Sequence, residues 1–276
     1  MKYIKLAFQY MFSKHFWKLM LFTIVPSILL SLISQFNSTI KMFIKFFDME
    51  FHDFKTLHHI LMDTKSVNFE WWYYPAIFAI LLLMSVLLSI MIGTMQRHMR
   101  TGKFQITNIL KRVNENVIPS FLTLISIFGL IFLFGISVSF VTSLWFTITK
   151  NNIATFVLSL IFMICAFALL IVIVALFSMT TPDIVCTGKR IRDAISLSIR
   201  TVGSKLWSIC VAFTLPLMFL FLIQIGLSFA DIRILQFIAD FLMMVFICSY
   251  YPVLVFVTYY DLFDRDREDL LPENRL

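Results

Sequence analysis

The sequence predicts an all-α integral membrane protein, a bundle of six transmembrane helices. Of its 276 residues, 60% are hydrophobic and 14% are charged, whereas about a quarter of the residues in a soluble domain carry a charge. The mean hydropathy is +0.89. The chain has too few polar residues to cover a water-soluble globule of this length, so soluble enzymes and soluble binding domains are excluded.

Six apolar runs are long enough to cross a bilayer, which takes about 20 residues in a helix. The third and fourth runs are separated only by residues 149–152, and the fifth and sixth only by residues 230–233, which predicts two helical hairpins. We interpret the whole chain as one membrane domain that ends in a short tail, 261–276. The predicted spans are 19–36, 75–95, 117–147, 153–179, 206–230 and 234–260.

Lysine and arginine are distributed unevenly between the two sides that six spans create. The N-terminal segment, the loops 96–116 and 180–205 and the C-terminal tail together carry 17 of them, and the opposite side carries 6. Basic loops stay on the cytoplasmic side of a membrane. This bias predicts that both termini are cytoplasmic, and an even number of spans agrees because it places both termini on the same side. We expect a bacterial cytoplasmic (inner) membrane.

A short motif points to an internal repeat. The tripeptide Thr-Gly-Lys occurs at 101–103 and again at 187–189, and a different shift aligns Trp17 with Trp207. Each match is followed by a helical pattern that runs into a span. We therefore predict a triplicated unit of one amphipathic helix, one span out and one span back. The predicted repeats are 1–95, 96–180 and 181–260.

The amphipathic helix of the third repeat is read from its periodicity. Ile191, Ile195, Ile199 and Val202 recur on one helical face. A basic helix with one apolar face lies in the membrane interface, where each cation near anionic lipid contributes roughly 1 kcal/mol. Alternatively, the apolar face packs beneath the bundle. The cations predicted to contact lipid headgroups or a partner protein are Lys103, Lys111, Arg112, Lys189, Arg190, Arg192 and Arg200.

Three carboxylates stand out from this pattern. Asp240 lies inside the sixth apolar run, and an ionisable group within a membrane is a functional candidate; pairing with Arg233 or Lys150 near the outer boundary is the structural alternative. Asp183 and Asp261 follow the fourth and sixth spans at matching positions. They are either solvated helix ends or ion-pair partners of the basic helices.

The remaining polar residues predict little chemistry. The outer segment 37–74 contains His52, His58 and His59, and histidine can bind zinc, but the phenylalanines around them follow a helical period, so we favour an amphipathic helix over a metal site. No phosphate-binding glycine loop, metalloprotease motif, nucleophile elbow or cysteine pair occurs. We predict no catalytic residue, no metal, no cofactor and no nucleic-acid partner, and we expect the four cysteines to be free thiols.

Two segments resemble a family of bacterial multi-pass proteins. They are TTPDIVCTGKRIRDAISLSIRTVGSKLWSI (180–209) and VTYYDLFDRDREDL (257–270), and they are similar to the membrane domain of glycerophosphoryl diester phosphodiesterases and to related uncharacterised six-span membrane proteins. The resemblance implies a helical membrane fold without an assigned activity. In those phosphodiesterases catalysis belongs to a separate soluble barrel, for which this chain has no counterpart.

These features together predict a non-enzymatic scaffold or accessory protein that contacts anionic lipid or a partner membrane protein. The alternative is a transporter or permease-like protein for a small solute or lipid, with Asp240 as its ionisable centre. An intramembrane lipid enzyme has the least support, because no catalytic set converges.

Overall fold

The structure, a computed structural model, describes residues 1–13, 16–33, 73–104, 109–149, 152–228 and 233–270. Within these ranges the chain is helical and contains no strand. The helices are α1 (Lys2–Met11), α2 (Phe16–Ile33), α3 (Tyr73–Thr101), α4 (Ile109–Thr149), α5 (Asn152–Phe177), α6 (Thr180–Thr187), α7 (Ile191–Gly203), α8 (Leu206–Ser228), α9 (Arg233–Leu262) and a final 3-10 turn, Glu268–Leu270.

Five of the described helices are long and apolar enough to cross a membrane. The candidate spans are Phe78–Thr101, Val113–Ile131, Val157–Thr187, Leu206–Gln224 and Phe237–Leu262, the third of which continues from α5 through the turn into α6. The predicted spans two to six lie on α3, α4, α5, α8 and α9, although α4 begins eight residues before its predicted span. The first predicted span falls on α2, whose fully described apolar part, Phe16–Val25, is shorter than a span. The helical membrane fold is therefore confirmed, and the number six stays a prediction.

The long helices form a closed ring. α2 packs against α3 and α9, α3 against α4, α4 against α5, α5 against α8, and α8 against α9, which also contacts α3 across the bundle. The most buried spans are those of α3 and α9, whereas few residues of α5 are fully buried. Contacts between α2 and α9 include small hydroxyl side chains, with Thr23 Oγ1 and Ser249 Oγ 3.2 Å apart. Small polar residues let helices approach closely in lipid, where the hydrophobic effect does not drive helices together.

A proline separates α5 from α6. Pro182 has no N–H to donate to the Ser178 carbonyl, and its ring clashes with that carbonyl, which breaks a helix. The chain accordingly turns at Ser178 and Met179, and α6 continues from Thr180.

Pro216, by contrast, remains inside α8. Proline at this position leaves the Ala212 carbonyl without its helical donor, and an unpaired backbone group is costly in lipid. The Tyr250 hydroxyl of α9 donates to this carbonyl at 3.1 Å. Tyr250 is fully buried, so the proline of one helix and the tyrosine of its neighbour compensate each other.

The second predicted repeat differs from the first and third. α1 and α7 are separated from the spans α2 and α8, but no break occurs within α4, which runs through Pro119 for 41 residues. At 1.5 Å per residue α4 is about 61 Å long, so it is twice as long as the roughly 30 Å hydrocarbon layer.

Candidate membrane-surface site

The charged residues collect at one end of the ring, here called the basic end. It is formed by α1, α6 and α7, the start of α2 and α4, and the ends of α3 and α9. Of the 16 lysines and arginines within the described ranges, 15 belong to these segments, together with 8 carboxylates. Arg233, at the start of α9, belongs to the opposite end. The charge bias in the sequence therefore corresponds to a physical surface of the bundle.

An ion pair joins the two ends of the described chain at this surface. Lys2 Nζ lies 2.7 Å from Asp261 Oδ1 and donates to Oδ2 at 2.9 Å. Burial raises the pKa of the neighbouring Tyr3, and the charge and hydrogen bond of Asp261 raise it further. Asp261 thus pairs with the first amphipathic helix, which confirms the ion-pair interpretation for this carboxylate.

The two Thr-Gly-Lys segments form the same turn. Gly102 and Gly188 have φ values of 66° and 69°, a left-handed conformation that glycine adopts without a steric penalty at helix ends. Their N–H groups donate to the carbonyls of His98 and Ile184, at 2.9 and 2.8 Å. In each turn the threonine hydroxyl also donates to the carbonyl four residues earlier, at 2.8 and 2.6 Å. Both turns end their helices at the basic end, and in each a lysine follows the glycine.

α7 is fastened to the break between α5 and α6 by one serine. Ser198 Oγ donates to the Leu176 carbonyl at 2.5 Å and accepts from the Met179 N–H at 3.2 Å. Both backbone groups lie at the turn, where the regular helical pattern ends, so the serine side chain replaces helical partners. Ala194, Ser198 and Val202 are the buried residues of this helix.

The isoleucines predicted for the apolar face of α7 do not form its docking face. Ile191 and Ile199 are 47% and 41% exposed, and Ile195 is half-buried. The small residues Ala194 and Ser198 allow close backbone approach and dock the helix, together with Val202, the member of the predicted face that is fully buried. Ile199 lies about 100° round the helix from Ser198, and the exposed Arg192 follows on the same side. Ile199 and Arg192 therefore lie together on the exposed side of the helix, next to the docked side.

The predicted headgroup contacts are open to solvent. Lys103, Arg190, Arg192 and Arg200 are exposed. Lys111 is also exposed, and its Nζ lies 3.9 Å from the Glu115 carboxylate one turn later. The side chain of Arg112 lies outside the described residues.

Lys189 differs from the other predicted contacts because it has a buried partner. Its Nζ lies 3.4 Å from Asp183 Oδ2, and the two side chains are 43% and 2% exposed. Tyr259 donates to Asp183 Oδ1 at 2.9 Å. Asp183 is therefore a buried link between α6 and α9, and the solvated interpretation of this residue is wrong. Sequence reasoning missed Tyr259, since no local pattern shows a contact across 76 residues.

Exposed tryptophans border the basic end. Trp17 and Trp207, the second residues of α2 and α8, are 59% and 83% exposed. Lys18 Nζ lies 5.9 Å from the Trp17 ring centre and 5.8 Å from the Phe104 ring centre. Tryptophan prefers the level of the lipid headgroups, so these two residues mark a candidate boundary between lipid and water.

A buried polar pair fastens α1 to α3. Tyr10 Oη lies 3.1 Å from His98 Nδ1, and both side chains are almost fully buried. Burial raises the pKa of Tyr10, Asp269 adds to this increase, and Arg267 opposes it, so the phenol stays protonated at neutral pH. The sequence offered no signal for His98, which lies in the last turn of an otherwise apolar span.

Asp240 lies at a distance from this surface. It is 3% exposed, and its carboxylate accepts a hydrogen bond from the Gln224 amide of α8. Asp240 is the eighth residue of α9, about 10 Å along the axis from the helix start at the opposite end of the bundle. The structure therefore gives Asp240 a neutral partner, Gln224, on the neighbouring helix. The side chain of Arg233 and residue Lys150, the partners that the sequence suggested, lie outside the residues that the structure describes.

The structure bears only in part on metal chemistry. The described residues contain no group of three histidine, cysteine or acidic side chains that could hold a metal ion, and all four cysteines are free. The histidines of segment 37–74 lie outside the described ranges. Comparisons with family models, curated proteins and solved structures found no match, so the resemblance to the phosphodiesterase membrane domains stays a prediction.

Proposed function

We propose that this protein is a non-enzymatic membrane scaffold or accessory protein whose basic end holds anionic lipid headgroups. The observation that carries the proposal is the exposed side of helix α7. Arg190, Arg192 and Arg200 are exposed together with Ile191 and Ile199, whereas the buried residues of the helix are Ala194, Ser198 and Val202. A helix at a protein–water surface gains nothing from exposed isoleucines. A helix at a lipid surface places its apolar side chains in the acyl region and its cations at the headgroups.

The flanking residues support the same location. Trp207, the second residue of α8, lies four residues after the end of α7 and is the most exposed tryptophan of the described chain. Aromatic side chains of this kind anchor proteins at the headgroup level. A partner membrane protein with an acidic surface would also pair with these arginines. It would leave the exposed tryptophans and isoleucines in contact with water unless it covered them as well.

The test is the combined replacement of Arg190, Arg192 and Arg200 by glutamine. At roughly 1 kcal/mol per cation near an anionic surface, the triple variant should lose most of its preference for anionic over zwitterionic lipid. Replacement of the same three residues by lysine is the matched control, since it keeps the charges. Native mass spectrometry of lipids retained from mixed nanodiscs measures the preference; equal retention in the glutamine and lysine variants would contradict the proposal.

Orientation and architecture form part of the proposal. We infer that the basic end faces the cytoplasm, that the membrane is a bacterial inner membrane, and that the chain is a triplicated unit. The charge bias supports the orientation. The matching turns at Gly102 and Gly188 and the matching exposed residues Trp17 and Trp207 support the repeat.

A transporter is the second candidate, favoured by one observation. The buried pair of Asp240 and Gln224 places an ionisable group between two spanning helices, where such residues serve proton or ion pathways. In vesicles loaded with a pH-sensitive dye, a proton-coupled transporter should lose its proton flux in the D240N variant. Q224A, which removes the partner but not the acid, should retain part of that flux. Absence of flux in the wild type would rule out a proton-coupled role.

A further inference from the structure

Three cations from separate segments meet beside Cys186. Arg100 lies in the last turn of α3, Lys189 follows α6, and Arg265 follows α9. The helix α6 that carries Cys186 contacts both arginine-bearing segments: Val185 accepts a hydrogen bond from Gln96, one turn before Arg100, and Asp183 accepts one from Tyr259, six residues before Arg265. Lys189 is three residues further along the chain from this cysteine. We call Arg100, Lys189 and Arg265 the three-cation cluster.

Contacts between the helix ends position the cluster. Gln96 Nε2 of α3 donates to the Val185 carbonyl of α6 at 3.0 Å. Arg265 Cζ lies 5.0 Å from the ring centre of Tyr259, and that tyrosine donates to Asp183 of α6. The ends of α3 and α9 are therefore both joined to α6, which brings the segments that carry Arg100, Lys189 and Arg265 together.

The cluster has an excess of positive charge. Within the described part of the chain, no carboxylate lies within ion-pair distance of Arg100 or Arg265, and Lys189 pairs with Asp183. Asp183 is buried and already accepts from Tyr259. Asp264 and Asp266, which flank Arg265 in the chain, are exposed to solvent. Three cations and one carboxylate leave a net charge of +2, with Arg100 and Lys189 exposed.

From this geometry we propose that the three-cation cluster binds a phosphate monoester. A monoester phosphate carries a charge of about −1.5 to −2 near neutral pH, which matches the cluster, whereas a phosphodiester carries a single charge. Arginine presents a planar fork that binds phosphate oxygens in pairs. The inference rests on the proposed function in placing the cluster at a lipid surface, and it names a preferred anion within that function.

The same chemistry could come from a lipid or from a soluble phosphate. Nanodiscs that contain phosphatidylcholine with either phosphatidic acid or phosphatidylglycerol separate the monoester from the diester, and inorganic phosphate in the buffer represents the soluble source. Retained lipid is measured for the wild type, R100Q, R265Q and the conservative variants R100K and R265K. The R190Q/R192Q double variant is the control, because those arginines are exposed on the same surface but lie outside the cluster.

We expect the wild type to retain phosphatidic acid about fivefold more strongly than phosphatidylglycerol, the ratio that corresponds to about 1 kcal/mol for one further unit charge at a basic surface. R100Q and R265Q should each lose most of this preference, and the lysine variants should keep part of it. R190Q/R192Q should bind both lipids less but keep their ratio. Competition by millimolar inorganic phosphate would assign a soluble ligand to the same cluster, and its failure with the lipid preference intact would assign the lipid.

Two outcomes would overturn the inference: equal retention of the two anionic lipids by the wild type, or an unchanged ratio in both R100Q and R265Q. These results differ from failure of the proposed function, in which neither anionic lipid is retained above phosphatidylcholine. Even in that case, binding of inorganic phosphate that is lost in R100Q would support the cluster, and absence of such binding would contradict it.

Discussion

The pairing of Pro216 with Tyr250 makes a quantitative prediction about stability. Tyr250→Phe keeps the buried ring but removes the hydroxyl that donates to the Ala212 carbonyl at 3.1 Å. Interhelical hydrogen bonds in membranes average about 0.6 kcal/mol and reach about 1.7 kcal/mol. Because Pro216 leaves this carbonyl with no helical donor, we expect a loss near the upper end, about 1.5 kcal/mol of unfolding free energy.

The adjacent tyrosine is the matched control. Tyr251 donates to the Phe213 carbonyl at 2.8 Å, but Leu217 is not a proline, so its N–H can also serve that carbonyl. Tyr251→Phe should therefore cost only about 0.5 kcal/mol.

A double-mutant cycle tests the reasoning directly. In a Pro216→Ala background residue 216 regains its N–H and can bond to Ala212, so Tyr250→Phe should cost about 0.5 kcal/mol there, a coupling of about 1 kcal/mol. Reversible unfolding in mixed detergent micelles, followed by tryptophan fluorescence, measures all four free energies. If Tyr250→Phe costs the same in both backgrounds, the tyrosine does not compensate for the proline.

The remaining predictions concern the basic end. Ser198→Ala removes two hydrogen bonds at the break after α5 and leaves two buried backbone groups unpaired. The free energy of unfolding should therefore fall by about 2–4 kcal/mol, and hydrogen exchange in α7 should become faster. Replacement of the exposed Ser196 by alanine, the control, should change neither quantity. Gly188→Ala should lower the free energy of unfolding by about 1–2 kcal/mol, because residue 188 has a φ of 69°. Gly129→Ala, whose added Cβ has no atom within 4 Å, should leave thermal stability unchanged or raise it. In a variant without the four native cysteines, a cysteine added at either terminus should react with an impermeant maleimide only after the cells are opened. Labelling of either end in intact cells would refute the cytoplasmic orientation.

Much of the candidate site was predictable because the apolar spans and the basic segments are each continuous stretches of the sequence. Five predicted spans coincide with described helices, and the basic segments converge at one end. The docking face of α7 was not predictable in the same way. The predicted apolar face ran through Ile191, Ile195, Ile199 and Val202, of which Val202 is fully buried and Ile191 and Ile199 are exposed. A helix beside lipid can expose apolar residues and dock through small ones, so the apolar period located the docked side only in part.

The sequence by itself determined that the chain enters a membrane and which segments carry its charge, since a span needs about 20 apolar residues in succession. Only the tertiary structure decided which polar groups pair. Asp240 bonds to Gln224 on the neighbouring helix, and Asp183 bonds to Tyr259 across 76 residues. Such partners are chosen by how the helices pack, because a buried polar group must find a donor or acceptor wherever the bundle brings one close.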